Sequence, residues 1–162
     1  MAIYMEFKDG SIKGNVTAEG FEEQLELLSC QWGAGRALTM ETGRMSNREA
    51  TRPSISEVTV SKYLDKSSPL LFEQACIGKE GKDVIVRVVQ TGGDTIEAYV
   101  EYTLTNCLLA SYSVSCSGDG EPLESLSLSF DSIELNYIDQ DQKNKTKGST
   151  RWGYSIAKGK KL

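Results

Sequence analysis

The chain has 162 residues, a formal net charge of −5, a sequence pI of about 4.9 and no histidine. A chain of this length forms one domain and buries about two thirds of its unfolded surface, so it can build a core without disulfide bonds or structural metal ions. The acidic balance argues against nucleic acid or an anionic membrane as the main partner, and the lack of histidine excludes Ser-His and Cys-His nucleophile systems.

No apolar run approaches the length of a membrane-spanning helix, and the first ten residues lack the basic and apolar regions of a secretory signal. We therefore expect no membrane insertion, and a protein that is made and folded in the cytoplasm. The four cysteines, Cys30, Cys76, Cys107 and Cys116, have no CxxC or metal-ligand spacing. In that compartment we predict that they are buried thiols rather than disulfides.

Alternating apolar residues predict three strands in the first part of the chain. One lies near the N-terminus, a weaker one covers residues 12–17, and a stronger one covers residues 25–32. In the stronger strand, Leu25 and Leu27 share one face, and the other face has Leu28, Cys30 and Trp32. We therefore expect other parts of the chain to pack on both faces of this strand.

Residues 33–53 show no usable periodicity and are predicted to form an extended loop. Loops of this length inside compact domains are usually functional or disordered. The segment is rich in arginine and methionine, and we predict contacts between copies of the chain here. The candidate contact residues are Arg36, Met40, Arg44 and Arg48.

The only convincing helix is predicted in the stretch 57–79, after a strand that contains Val58 and Val60. Ser68 is expected to cap the helix with its hydroxyl group, Pro69 suits the first helical position, and Gly78 is placed to end it in a left-handed conformation. Leu71→Ala or Phe72→Ala is expected to destabilise the subunit by about 2–5 kcal/mol. The side predicted to pack on the sheet comprises Leu71, Phe72, Ala75 and Cys76.

The second half of the chain reads as strands throughout. Valines alternate over residues 84–88, and a Thr-Gly-Gly-Asp turn at 91–94 predicts a hairpin onto a strand over 96–104. The alternation continues over 108–116, with serines on the opposite face. Residues 126–130 and 133–137 alternate in opposite phases, which predicts a β-bulge near Asp131-Ser132.

A last short strand around Trp152 is predicted to precede a basic tail at 158–162. One domain over residues 1–162 follows, with a mainly β fold. It is expected to be a small antiparallel β-barrel, closed or nearly closed, of two sheets with one short flanking α-helix.

The sequence shows no motif for catalysis or for a cofactor. Gly33-Ala34-Gly35 lacks the third glycine of a dinucleotide site, and the residues after Asp139 lack the ligands of a calcium loop. Glu97 and Glu101 are explained by a solvated strand face. We therefore expect neither an enzyme nor a cofactor.

Two flat faces of small uncharged residues remain, Ser111/Ser113/Ser115 and Ser125/Ser127/Ser129. They could simply face solvent. Exposed strand edges have to be covered or paired to avoid indiscriminate association, so these faces and the long loop favour an assembly subunit over a monomer.

One segment has the pattern Lys-x-x-Asp-x-x-Ser-Pro-x-Leu, formed by Lys62, Asp65, Ser68, Pro69 and Leu71. Three further segments follow a set order across nearly the whole chain: Leu25-Glu26-Leu27 before Trp32-Gly33, Tyr102-Thr103-Leu104 before Ala110-Ser111, and Pro122-Leu123-Glu124 before Phe130, Ile133 and Tyr137. In pattern and order, these segments together resemble Hcp, the haemolysin-coregulated protein family of bacterial type VI secretion systems.

The resemblance implies that six copies close into a ring and that rings stack into a tube. A contractile sheath would drive this tube, tipped by a VgrG-type spike, out of the cell without a signal peptide, with effector proteins in its lumen. Arg36, Met40, Arg44 and Arg48 would then form ring or stacking contacts. In Hcp-like rings the strand over 25–32 belongs to the sheet nearest the channel.

Within that strand, Ser29 and Gln31 are expected to approach the channel wall, because the apolar face turns polar at this end. Gln31 could equally be an ordinary solvated strand end. The alternative for the whole chain is a monomeric small β-barrel that binds an apolar ligand or a protein partner, although large inward side chains such as Val86 and Leu128 weigh against a ligand cavity.

Overall fold

The structure, a computed structural model, describes residues 1–40, 42–43, 50–140 and 146–162. Within these residues the chain forms twelve strands and one helix. The elements are β1 (Ala2–Phe7), β2 (Leu25–Leu27), β3 (Ser29–Gln31), β4 (Ala34–Gly35), β5 (Ser54–Ile55), β6 (Val58–Tyr63), α1 (Ser68–Ile77), β7 (Lys82–Gln90), β8 (Glu97–Ser115), β9 (Leu123–Ser129), β10 (Ser132–Gln140), β11 (Thr146–Ser155) and β12 (Lys160–Lys161).

All strand pairs are antiparallel and form two main sheets. Sheet A has the order β12-β11-β10-β8-β7-β1-β2, and sheet B has the order β3-β6-β9-β8. A separate ribbon pairs β4 with β5. The predicted mainly β fold of two sheets with one short helix is therefore confirmed.

The sheets do not close into a complete cylinder. Leu27 pairs with Ile3 in sheet A, whereas Ser29 pairs with Ser61 in sheet B, so the chain steps between sheets at Leu28. The predicted strand over 25–32 is thus two short strands. The buried phase changes at the step, because Leu25 and Leu27 face the core before it and Cys30 and Trp32 pack against the core after it.

Strand β8 joins the two sheets at the opposite corner. Its first half pairs with β7 and β10, and its second half pairs with β9. The chain changes direction near Asn106, which has a φ of 53°, and the register shifts between Leu109 and Ser111. The predicted hairpin between β7 and β8 is confirmed, and the runs over 96–104 and 108–116 are parts of one strand.

The core lies between the inner faces of the two sheets. Sheet A contributes Met5, Val84, Val86 and Leu104, and sheet B contributes residues such as Val60. Since these side chains fill the space between the sheets, the alternation that predicted the strands also identified most of the core. The other buried apolar residues of this cluster are Phe7, Ile12, Leu25, Leu27, Val58, Leu71, Cys107, Leu109, Leu126, Leu128, Phe130 and Ile133.

Two predicted elements are wrong. Residues 12–17 form no strand, although the N–H groups of Gly14 and Val16 donate to the backbone carbonyls of Glu23 and Gln24. Glu23 has a left-handed φ of 61°, which prevents a regular ladder. The predicted β-bulge near Asp131-Ser132 is also wrong, because two separate strands meet there. At this point the chain leaves β9 in sheet B and enters β10 in sheet A.

The helix exists, but its ends differ from the prediction. Ser67 is the N-cap residue and makes no side-chain capping bond, while Ser68 is already helical and Pro69 lies in the first turn. Gly78 has φ −60° and ψ 119°, so the helix ends in an extended conformation rather than a left-handed one. A glycine is still required here, because an added Cβ would lie 2.5 Å from the Gln74 carbonyl oxygen.

The helix packs on sheet B through a narrower side than predicted. Leu71 is fully buried and Ala75 is partly buried against the core, whereas Phe72 and Cys76 are exposed. The expected destabilisation by an alanine substitution therefore applies to Leu71 and not to Phe72. The 3.6-residue period of a helix was consistent with all four residues facing the sheet, but of these four only Leu71 and Ala75 pack against the core.

The remaining differences concern the loop, the last strand and the thiols. The arms of the 33–53 loop are paired by β4 and β5 and by a bridge between Leu38 and Ala50. The strand that contains Trp152, β11, is ten residues long rather than short, and the two-residue strand β12 follows it within the predicted basic tail. All four cysteines are free, but of these only Cys107 is buried and Cys30 is partly buried. In the described residues, no helix is long and apolar enough to cross a membrane.

Candidate functional site: the hydroxyl face of sheet B

The middle of the outer face of sheet B is a grid of small neutral side chains, flanked by the exposed apolar residues Tyr63, Leu108 and Leu123. Strand pairing aligns the small side chains in two rows across β3, β6, β9 and β8. The residues of the outer strands and Thr59 are exposed, and the other residues of the inner strands are partly buried. We call this grid the hydroxyl face; its rows are Ser29-Ser61-Ser125-Ser113 and Gln31-Thr59-Ser127-Ser111.

The hydroxyl face follows from alternation within each strand. In β9, for example, Ser125 and Ser127 point outward because Leu126 and Leu128 point into the core. Serine and threonine hydroxyls both donate and accept hydrogen bonds, and Ser29 Oγ lies 2.5 Å from Ser61 Oγ across the strands. The surface is therefore flat, polar and uncharged.

The structure brings Ser29 and Gln31 together on this face. Both are exposed residues of β3, and they head the two rows of the grid. The sequence identified these two residues, and separately the serine runs 111–115 and 125–129. It did not join them into one surface, because the pairing of β3 with β6 and of β6 with β9 is a long-range property.

The inner side of sheet B contains a buried charged network at one end. Lys62 Nζ donates to Glu124 Oε1, to Asp65 Oδ1 at 3.1 Å and to the Tyr63 carbonyl oxygen at 2.8 Å. Lys62 and Glu124 are almost completely buried. Because burial of an isolated charge is costly, each of these two charges depends on the other.

The network fastens the helix to the sheet. Ser68 Oγ donates to Glu124 Oε1 at 3.1 Å, and the Tyr112 hydroxyl donates to Glu124 Oε2 at 2.6 Å. Burial, and then the hydrogen bond to the Glu124 carboxylate, raises the pKa of Tyr112 to about 12. The Lys-x-x-Asp-x-x-Ser segment is therefore one half of a network whose other half comes from β8 and β9.

Sequence reasoning missed the roles of Glu124 and Tyr112. The alternation along β9 could have revealed Glu124, because Glu124 occupies the same face of the strand as the buried Leu126 and Leu128. A carboxylate in phase with a core face predicts a buried cationic partner. That partner, Lys62, is directly opposite Glu124 in the pairing of β6 with β9.

Two other predicted contact residues, Arg36 and Met40, do not belong to the strands that form this face. Arg36 and Met40 are exposed in the segment that follows β3. Arg44 and Arg48 lie outside the described residues, so their predicted contacts stay predictions. No group of three or more histidine, cysteine, aspartate or glutamate side chains suited to a metal ion occurs in the part of the chain that the structure describes.

The outer face of sheet A differs in character from the hydroxyl face. Arg87 Nη1 lies 2.6 Å from Glu6 Oε2, and Arg87 Nε lies 3.5 Å from Glu101 Oε1. Farther along the sheet, Arg151 Nε lies 3.1 Å from Glu134 Oε1. The outer face of sheet A therefore shows paired charges beside a second, small buried cluster of Tyr4, Phe21 and Val89, whereas the middle of sheet B shows neutral hydroxyls.

A family model and a related protein both match this chain over most of its length. The model of the family described as "Type VI secretion system effector, Hcp" matches residues 4–137. The protein Hcp1 of Pseudomonas aeruginosa is 27% identical over 158 residues, which cover 96% of both chains.

Solved structures share the fold over almost the same length. A structure described as that of a type six secretion system protein has a TM-score of 0.91 and 26% identity, and the match covers 99% of both chains. Hcp1 from Salmonella typhimurium has a TM-score of 0.76 and 23% identity, with 99% of this chain and 98% of that chain covered. With a family model that spans most of its length, the chain belongs to the Hcp family of type VI secretion system effectors.

Proposed function

We propose that the chain is a structural subunit of the type VI secretion tube. Six copies close into a ring, rings stack, and the tube leaves the cell with the spike, pushed by the contractile sheath. Family membership supports this role, and the observation that supports a structural rather than a catalytic part is the hydroxyl face. Its side chains offer hydrogen bonds without a nucleophile-base pair or a charge.

In this proposal the hydroxyl face lines the channel. A channel wall has to contact many cargo proteins and release them, so strong charges and large apolar patches are both unfavourable there. Ser29 and Gln31 meet this requirement, because they are exposed, neutral and able to form hydrogen bonds. Effector proteins in the lumen would contact both residues.

The alternative of a monomeric barrel with an apolar ligand has less support. The space between the sheets is filled by buried side chains such as Met5, Val60 and Leu126. A ligand would have to displace these groups from a close-packed interior. The proposal is therefore restricted to the tube subunit.

The first prediction concerns assembly. Size-exclusion chromatography with light scattering should give the mass of six subunits for the purified protein in native buffer. The physical reason is that a subunit with a heterologous interface either closes into a ring or polymerises. A monodisperse monomer at micromolar concentration would contradict the tube function.

The second prediction places Gln31 on the channel wall. Gln31→Glu should leave the ring mass unchanged and weaken the co-purification of lumenal effectors, because it adds six like charges that are screened only over about 8–10 Å in physiological salt. Gln90→Glu, the same change at the end of β7 in sheet A, should alter neither property.

Two results would contradict this placement. Unchanged binding of every cargo by an intact Gln31→Glu ring would remove Gln31 from the channel. Loss of the ring in Gln31→Glu, with Gln90→Glu still a ring, would instead put Gln31 in an interface between subunits.

A further inference from the structure

One row of side chains crosses the inner face of sheet A from the core to solvent. Its first three members are fully buried, whereas the last two are 37% and 54% exposed. Sheet B has fewer strands than sheet A, and the exposure of Leu135 and Trp152 shows that the described residues leave this side of β10 and β11 partly open. The row runs through Leu25, Met5, Val86, Tyr102, Leu135 and Trp152.

The next row ends in the same way. It passes from Leu27 through Val88 and Val100 to Tyr137, which is 48% exposed. We call Leu135, Tyr137 and Trp152 the uncovered face. Because its members continue the inner face of the core, the uncovered face is apolar for the same reason as the core, yet the described residues supply no layer over it.

The border of the uncovered face is basic. Residues 146–162, which form β11, β12 and the chain around them, include five basic residues and no acidic one, although the whole chain has a net charge of −5. Within these strands Arg151 pairs with Glu134, while Lys160 and Lys161 are exposed on the edge strand β12. A partner for this face is therefore expected to be apolar at its centre and acidic at its border.

A surface of that kind lies beside α1. It is a shallow groove of about 520 Å³. Phe72 projects there with more than half of its surface exposed, and its ring centroid is 5.8 Å from that of Tyr112. The lining residues are Leu64, Asp65, Ser68, Pro69, Phe72 and Tyr112.

The surroundings of the groove are mainly acidic. Glu73 is exposed on α1, and Glu121 is exposed in the turn whose Pro122 carbonyl accepts a hydrogen bond from Leu64. Asp65 in the lining is already paired with the buried Lys62, and the remaining acids, Glu73 and Glu121, outnumber the neighbouring base Lys66. The groove is thus complementary to the uncovered face both in its apolar character and in its charge.

The two surfaces belong to opposite ends of β8. Tyr102 adjoins the uncovered face in the half of β8 that pairs with β10, and Tyr112 lines the groove in the half that pairs with β9. Both surfaces are built on the same packed sheets, so one chain cannot bring its own groove onto its own uncovered face. Pairing of two uncovered faces about a twofold axis would place two basic borders together, which is unfavourable.

We propose that the uncovered face of one copy packs into the groove beside α1 of the next copy, with Trp152 against Phe72 and Tyr112. The inference rests on the proposed tube function and names the surface that would close the ring. The contact is heterologous, since each copy uses one surface toward one neighbour and the other surface toward the second neighbour. Repeated contacts of this type form a ring when the rotation closes.

The test uses two variants that each remove one surface. Trp152→Glu places a charge on the uncovered face, and Phe72→Glu places one in the groove; both side chains are more than half exposed, so the fold should be retained. Each variant alone should be a monomer by light scattering. An equimolar mixture should form a one-to-one dimer, because one junction is intact and the other opposes two glutamates.

Conservative variants serve as matched controls. Trp152→Phe and Phe72→Leu keep apolar side chains at both positions and should assemble as the parent does. Melting curves of the two glutamate variants check that the monomers are folded. If one of them is unfolded, Leu135→Ser and Leu64→Ser repeat the experiment at half-exposed positions of the same two surfaces.

The outcomes separate this inference from the proposed function. A parent protein that is itself monomeric overturns the tube function. A parent ring with both glutamate variants still assembled overturns the interface, while the tube function stands. Folded monomeric variants that fail to form a dimer when mixed overturn the proposed pairing, because each surface then contacts a different surface of the neighbouring copy.

Discussion

The two sheets use their two faces differently. The middle of sheet B has neutral hydroxyls outside and apolar side chains with one buried ion pair inside, and the exposed apolar residues Tyr63, Leu108 and Leu123 flank the hydroxyls on the outer face. Sheet A has ion pairs outside, and its apolar inner face extends two strands beyond its cover. In an assembly this difference suits a sheet that contacts cargo and a sheet that contacts water and neighbouring subunits.

The contrast between the ion pairs of the two sheets gives the largest expected effect. Glu124→Ala should destabilise the subunit by about 3–5 kcal/mol, because it leaves Lys62 buried without its closest partner. Glu101→Ala, at the outer pair of sheet A, should cost about 1 kcal/mol or less. Urea unfolding of both variants measures the difference, and equal losses would contradict the contrast.

The helix gives a second contrast, between the inner side of sheet B and the groove. Leu71→Ala should lower the free energy of unfolding by about 2–5 kcal/mol, since Leu71 is fully buried. Phe72→Ala should lower it by about 1 kcal/mol or less, because most of the Phe72 side chain stays in contact with water. Denaturant titrations compare them, and a large loss from Phe72→Ala would show that α1 packs through a different side.

The smallest expected effect is the pH dependence of the network. Tyr112 has its pKa raised to about 12 in the folded chain, so its contribution to stability is fully present below about pH 10 and is lost as the pH rises through 12. The parent should therefore lose more stability than Tyr112→Phe between pH 9 and pH 11.5. Melting temperatures across that range measure it, and parallel losses would exclude Tyr112 as the responsible group.

Local pattern determined much of the fold. The alternation in β7, β8 and β9 identified the strands, the hairpin and the inward residues, because a strand places successive side chains on opposite faces whatever it packs against. The same rule placed Ser125 and Ser127 on an outer face. The order of short motifs added the family, which no single motif could establish.

Tertiary structure decided the points at which the chain passes from one sheet to the other. The step at Leu28, the shared strand β8 and the change of sheet between β9 and β10 depend on which strands meet, and no local pattern records that choice. The exposure of Phe72 next to the buried Leu71 has the same origin. The hydroxyl face, the Lys62–Glu124 pair and the uncovered face exist only because distant strands align their residues in register, whereas the residues of each strand were already set in phase by the sequence alone.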